Sequence, residues 1–425
     1  ALADRGSTTS PTAAPTGAPT SAPTTSPTAA PTGAPTSAPT TSPTAAPTTS
    51  PTPAPSPPSP TGYGYGDDGY GYGYGGYGYG DDGYGDDGYV YGDDGYGYGG
   101  SVSPTPAPWI QRGDDIDGEA ADDWSGYSVS LSADGTTLAV GAPYNDGAGS
   151  NAGHARVFAW DPVDETWKQR GDDIDGEAAG DESGRSVSLS ADGATLAVGA
   201  VYNDGAGSSA GHARVFAWDS DDETWVQRGD DIDGEAAGDR SGYSVSLSAD
   251  GTTLAVGAVY NDGAGSSAGH ARVFAWDSND DTWIQRGDDI DGEAAGDESG
   301  RSVSLSADGA TLAVGAVYND GAGSSAGHAR VFAWDSNDDT WIQRGDDIDG
   351  EAAFDQSGYS VSLSADGTTL AVGASGNDGA GSNAGHARVF AWDPVDETWK
   401  QRGDDIDGEA ADDRGYSVSL SADGA

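Results

Sequence analysis

The sequence predicts an all-β chain, a β-propeller of four-stranded antiparallel blades (incomplete in the residues present) preceded by a disordered low-complexity N-terminal region. Three observations predict it. Trp109, Trp167, Trp225, Trp283, Trp341 and Trp399 stand 58 residues apart, and each opens a stretch reading W-x-Q-R-G-D-D-I-D-G-E-A-A. A fixed period in the tens of residues marks a solenoid, propeller or array, in which each unit buries its apolar face against a neighbour. Inside the unit, Tyr127, Val129 and Leu131 alternate with Ser128, Ser130 and Ser132, the period of a strand rather than a helix. A later segment carries apolar residues on both faces (Ala155, Val157, Phe158, Trp160), as a blade sandwiched between siblings requires.

The elements of one unit follow in order. Tyr127–Leu131 is the first strand, Asp134-Gly135 supplies a turn signal, and Thr137–Val140 is the second, so the pair reads as a hairpin. A Gly-rich loop, Asn145–Ser150, leads to a third strand at His154–Trp160. Asp161–Glu165 is a polar turn, and Thr166–Arg170 a short fourth strand. Five units are complete, and the sixth stops at Ala425. With no Met at position 1 and an end inside a repeat, the chain reads as a fragment, so a missing leader carries no information.

Ahead of the repeats the composition changes twice. Residues 1–61 are rich in Pro, Thr, Ser and Ala, with a proline at every fourth position from Pro11 to Pro51. Nothing there can be buried, so the stretch is expected to stay solvated and extended, as an O-glycosylated stalk or a bare linker. Residues 62–100 hold 18 Gly, 12 Tyr and 8 Asp, a disordered spacer or a self-associating tract, and residues 101–108 are a Pro-containing linker into the repeats at 109–425.

The net charge of −52 bounds the partners. A surface of that sign repels phosphate backbones and anionic headgroups, so nucleic acid and membrane surfaces are poor partners and cations are favoured. No apolar run is long enough to span a bilayer. The absence of Cys removes disulfides, thiolate metal sites and Cys nucleophiles.

The residues Gly126-Tyr127-Ser128-Val129, Asp134-Gly135, Leu138-Ala139-Val140-Gly141-Ala142-Pro143, Gly153 and Val157-Phe158, at the same spacing in every complete unit, resemble the FG-GAP repeat family. That family builds the propeller head of integrin α subunits and of many surface proteins, usually with seven blades. The Phe of its name is Ser here (Ser125, Ser183, Ser241, Ser299, Ser357), and Arg414 in the last unit. The resemblance implies calcium in a D-x-D-x-D-G loop between the first two strands; the corresponding loop here is only Ser132-Ala133-Asp134-Gly135.

The densest acidic cluster of the unit is the metal candidate: Asp115, Asp117, Glu119 and Asp123. It recurs as Asp173, Asp175, Glu177, Asp181; Asp231, Asp233, Glu235, Asp239; Asp289, Asp291, Glu293, Asp297; and Asp347, Asp349, Glu351, Asp355. Hard cations want six to eight oxygens, which such loops can offer, and Ca2+ is the expected ion. The competing reading is a pair of Asp-Gly turns whose side chains bond local N–H groups. Arg112-Gly113-Asp114 and its five copies spell R-G-D, the tripeptide of an adhesion motif, but three residues carry little information. His154, His212, His270, His328 and His386 share one position at the start of the third strand. A structural hydrogen bond is the expectation there, ahead of a ring of imidazoles lining a channel. No Ser-His-Asp, paired-carboxylate or phosphate-loop pattern stands out, so the chain is expected not to be an enzyme. The expected role is an extracellular or cell-surface binding or adhesion protein recognising protein or glycan. The alternative is a structural component of a cell wall or matrix with no discrete ligand.

Overall fold

The computed structural model describes residues 109–424. The stalk, the Tyr-Gly tract and the linker expected at 1–108 lie outside the described residues. Every element described is a strand. The first sheet contains β1 (Ser128–Leu131), β2 (Thr137–Ala142), β3 (His154–Asp161) and β4 (Thr166–Gln169), joined in that order and antiparallel throughout. β5 (Ile174–Asp175) pairs with the opening of β3, His154 facing Asp175, while β4 pairs with its end, Phe158 facing Gln169. The outermost strand is therefore broken in two at Arg170–Asp173. The expected fourth strand is corrected in this respect: it stops at Gln169, and a two-residue continuation follows the break.

The second sheet repeats this as β6 (Ser183–Leu189), β7 (Thr195–Ala200), β8 (His212–Asp219), β9 (Thr224–Gln227) and β10 (Ile232–Asp233), and three further sheets follow at the same spacing. From the second sheet onward the first strand begins earlier, at the residue replacing the family Phe, and a bulge lies between Ser183 and Ser186. The bulge exists because Gly184 takes a left-handed φ of 84° that a side chain would strain.

The cores lie between sheets, not within them. Ala139, Ala155, Val157 and Ile174 of the first sheet pack with Val187, Leu189, Leu196, Val198 and Phe216 of the second, and Trp225 leans on the cluster. The same set recurs at each of the next three seams. Apolar residues on both faces of a strand are thus both used. Polar bonds stitch the seam: the Leu189 N–H donates to Ser130 Oγ at 2.9 Å, and Ser128 Oγ donates to the Gly184 carbonyl at 2.8 Å. A Cβ on Gly141 would stand 2.0 Å from that same carbonyl. The backbone of one sheet's second strand therefore touches the first strand of the next directly, and only glycine permits it.

The alternation Tyr127, Arg185, Tyr243, Arg301, Tyr359 has a packing explanation. Arg185 lies over the rings of both Tyr127 and Tyr243 at 4.8 Å, and Arg301 over Tyr243 and Tyr359 at 5.2 and 4.6 Å. Cation and ring alternate along the innermost strands, each guanidinium serving two aromatic faces.

Candidate metal centre

The third strand, the break in the outermost strand and the crossover between sheets converge at one point in each unit. In the second sheet these supply His212 at the start of β8, Asp231 just before β10, and Glu177 on the connection between β5 and β6. His212 Nδ1 lies 3.7 Å from Asp231 Oδ2 and 3.9 Å from Glu177 Oε2. The equivalents are Glu119, His154, Asp173; Glu235, His270, Asp289; Glu293, His328, Asp347; and Glu351, His386, Asp405, with the three ligand atoms of each group within 4.8 Å of one another. The imidazoles are 1–2% exposed, whereas the glutamates retain 42–44% and the aspartates 30–31%. A buried nitrogen thus faces two carboxylates that open to solvent.

Each local structure has a cause. Gly229 opens the break with a φ of 80°, and a Cβ there would meet the Trp276 ring at 2.9 Å, so the chain turns tightly beneath the next sheet's tryptophan. Arg214, two residues after His212 and therefore on the same face of β8, donates from Nη2 to the Asp175 carbonyl at 2.5 Å. Its Nη1 stands 3.8 Å from Glu177 Oε1. The arginine pins the crossover and turns one glutamate oxygen to itself; the other faces the histidine and also accepts from Asn203 Nδ2 at 3.5 Å.

The electrostatics are unusual in one respect. At 3.7–4.0 Å the imidazole Nδ1 makes no hydrogen bond to either carboxylate. Nδ1 has no partner in any of the five units, and Nε2 none in four of them. An unsatisfied buried polar atom costs about 1–3 kcal/mol. The expectation of a structural hydrogen bond at this histidine is corrected accordingly. Burial foremost, then the neighbouring arginine, pushes His212, His270 and His328 down to about 4, so these rings are neutral and carry a free lone pair. Burial raises the Glu235 carboxyl; Arg272 opposes the shift, and Asp289, Asp239 and Asp291 add to it. Negative charge is crowded here with too little positive charge to match it.

The sequence-predicted cluster is divided by the fold. Glu119, Glu177, Glu235, Glu293 and Glu351 enter the groups, as do Asp173, Asp231, Asp289 and Asp347. Asp115, which has no preceding described sheet, joins no group, although it accepts from Gln111 Nε2 just as Asp231 Oδ1 accepts from Gln227 Nε2. Asp117, Asp175, Asp233, Asp291 and Asp349 give their carbonyls to the buried arginines. Asp123, Asp181, Asp239, Asp297 and Asp355 are buried turn residues: Asp239 Oδ2 accepts from the Ala236 N–H at 2.9 Å and from Asn261 Nδ2 at 3.1 Å. The histidines and Asp405 are the residues that sequence reasoning missed. The available signal was that all five histidines share one position, 35 residues after a glutamate and 19 before an aspartate.

The loop that carries calcium in the resembled family does not fit a cation. Asp134 Oδ1 accepts from Ser132 Oγ, the Thr136 N–H and Thr136 Oγ1, all at 2.8–2.9 Å, and these bonds hold its carboxyl below the usual range. The R-G-D arginines are also engaged. Arg170 lies 4.5 Å over Trp218, and its Nη1 donates to the Gly193 carbonyl at 2.8 Å.

The FG-GAP repeat model matches residues 116–158, 174–216, 232–274, 290–332 and 348–390, half of the chain. The chain belongs to the FG-GAP repeat family. Each matched stretch contains the glutamate and the histidine of one group, and the aspartate follows the stretch, outside it. No curated protein matches the chain. Among solved structures, it is similar to hydrazine synthase of Kuenenia stuttgartiensis: 14% identity, 70% of this chain and 78% of that one, TM-score 0.44. It is also similar to the periplasmic gluconolactonase PpgL of Pseudomonas aeruginosa, at 19% identity, 67% and 85% coverage and a TM-score of 0.39. A third is a putative 6-phosphogluconolactonase from Bacteroides uniformis, at 12% identity, 66% and 85% coverage and a TM-score of 0.41. These names correct the expectation of a chain that is not an enzyme, because the similar structures are themselves enzymes by name. At these scores no particular activity passes from them to this FG-GAP protein. Among its described residues no helix is long and apolar enough to cross a membrane.

Proposed function

We propose that this FG-GAP protein is a multivalent binding protein of the cell exterior, its repeats presenting the same ligand groove several times over, with residues 1–61 as the stalk. The observation that supports this is the recurrence of a groove between the polar turn of one sheet and the tryptophans of the next. One such groove, of about 540 Å³, is lined by Trp276, Asn279, Ile284, Gln285, Arg286 and Trp334. One unit on, Trp334, Asn337, Ile342, Gln343, Arg344 and Trp392 line another of about 680 Å³. Indole and aliphatic surface beside amide and guanidinium donors suits a saccharide or an extended peptide, offering an apolar platform with a few orienting polar groups. Repetition at fixed spacing converts weak single contacts into avidity, which a near-identical array provides without a unique site.

Adhesion and the extracellular location follow from this reading. A glycan array and a pull-down with the whole chain test it. Ile284→Asp and Ile342→Asp alter side chains that are 49% exposed, so the fold should survive while binding falls. A saturable ligand lost in these variants supports the proposal. No saturable ligand, or one indifferent to both changes, would return the protein to the structural matrix reading.

A further inference from the structure

We infer that each Glu–His–Asp group binds a borderline transition-metal dication of the zinc class, held where the chain crosses from one sheet to the next. The donor set argues for the class. One imidazole nitrogen and two carboxylate oxygens suit Zn2+, whereas Ca2+ and Mg2+ take oxygen donors almost exclusively. The buried ring argues for an occupant. A finished network would leave a buried imidazole with one nitrogen donating and the other accepting. Here Nδ1 is without a partner five times over, at the same position, with both carboxylates directed at it.

Geometry argues against a proton as that occupant. One N–H can serve only one oxygen, and both stand at 3.7–4.0 Å, outside hydrogen-bond reach. Ligands about 2.0–2.2 Å from a shared tetrahedral ion lie roughly 3.4 Å apart. The nitrogen-to-oxygen distances of 3.7–4.0 Å are already close to that spacing, and all three atoms of a group lie within 4.8 Å of one another. The carboxylates are partly exposed and can rotate inward, while the packed histidine stays fixed. Three protein ligands leave a fourth position on the solvent side, for water or for an anionic group.

The placement gives the ion a structural consequence. Glu177 lies on the connection arriving from the first sheet, and His212 and Asp231 belong to the second. An ion at each of the last four groups would therefore tie a crossover to the sheet it enters, and in the first group it would tie the segment ahead of β1 to the first sheet. None of the proposed metal ligands lines either groove, but Gln285 of the first groove donates to Asp289 Oδ1 at 2.8 Å, so the metal is read by stoichiometry and the groove by ligand binding in Ile284→Asp and Ile342→Asp.

The test uses the whole chain, stripped with chelator and held in excess Mg2+ and salt to suppress loose binding to a surface of charge −52. Zn2+ is titrated by calorimetry and Co2+ by visible absorption. The expected result is close to five equivalents per chain, one for each group. Co2+ should show the intense d–d bands of a four- or five-coordinate ion, and the unfolding midpoint should rise with Zn2+ and fall back with EDTA. Glu235→Gln combined with Asp289→Asn should remove about one equivalent and leave the circular dichroism unchanged. His270→Gln should do the same, and the carboxylate pair decides the matter should that variant misfold. Less than one equivalent bound, full stoichiometry in the variants, or Ca2+ stabilising where Zn2+ does not would each overturn the inference.

Discussion

Replacing Gly257 by alanine probes the seam at its tightest point. Gly257 sits on the second strand of the third sheet, and its added Cβ would lie 2.0 Å from the Gly300 carbonyl oxygen, 2.9 Å from that carbonyl carbon and 2.5 Å from Ser244 Oγ. An unstrained carbon–oxygen contact needs more than 3 Å, so the sheets must part by about 1 Å. Ser244 Oγ can rotate away, but the Gly300 carbonyl is backbone and cannot. A gap of that size forfeits a quarter to a half of the dispersion energy across the seam, where Ala255, Val273 and Ile290 meet Val303, Leu305 and Phe332. Overpacking typically costs about 1–3 kcal/mol, and loosening the Ser244 Oγ bond to the Gly300 carbonyl adds about 1 kcal/mol. The lower entropy of the unfolded alanine chain returns about 0.4–1 kcal/mol, leaving a net loss near 2–3 kcal/mol. Gly296→Ala is the matched comparison. Nothing lies within 4 Å of its added Cβ, but its φ is 89°, so it pays only the left-handed penalty of about 1–2 kcal/mol. Urea unfolding of both variants reads the difference. A Gly257→Ala variant within about 0.5 kcal/mol of the parent, or milder than Gly296→Ala, would refute close backbone packing at the seam.

Three further outcomes are expected. Arg286→Lys keeps the charge but loses the flat stack 4.4 Å over Trp334 and the Nη1 bond to the Gly309 carbonyl, and should cost about 1–2 kcal/mol in urea unfolding. Asp239→Ala strands the Ala236 N–H in a buried turn and leaves Asn261 Nδ2 only its longer bond to Glu235 Oε2, and should cost about 1–3 kcal/mol, while Asp239→Asn, which restores an acceptor, should recover more than half of it. With chelator present, acid should destabilise the fold through the histidines. His212, His270 and His328 titrate near 4 when folded, against an ordinary 6.5 in the unfolded chain, which therefore takes up protons first. Stability is complete above pH 6.5 and declines as pH falls toward 4, by on the order of 3 kcal/mol for each ring. Unfolding midpoints across that range check it, and His270→Gln should flatten the slope.

Much of this fold could be read from the residues because its signals are local. Alternation at Tyr127–Leu131 and the Asp134-Gly135 turn act within a few positions, and the 58-residue period forces every seam to repeat once one is understood. The continuation at Ile174-Asp175 was not legible, since two residues cannot display a period. The alternation of Tyr127 with Arg185 was visible, but its reason, a guanidinium shared between neighbouring rings, exists only once the first strands lie side by side. The candidate centre was half legible. Dense acidic residues drew notice to Glu177 and Asp231, yet contiguity suggested that each loop closes on itself. The fold instead sends Asp239 into a turn with Asn261 and brings Asp231 to a histidine 19 residues earlier, through pairing of the broken outer strand. His212 looked like an ordinary strand-end residue because burial without a partner cannot be seen in a sequence.

The central claim is that a sheet of this protein is stable only through the seams it shares with its neighbours. Segments carrying one, two and three consecutive sheets, compared by circular dichroism and urea unfolding, test it most directly. A lone sheet should be unfolded, and each added seam should raise the unfolding free energy by a similar increment. A single sheet that unfolds cooperatively, with the stability of the longer segments, would contradict it.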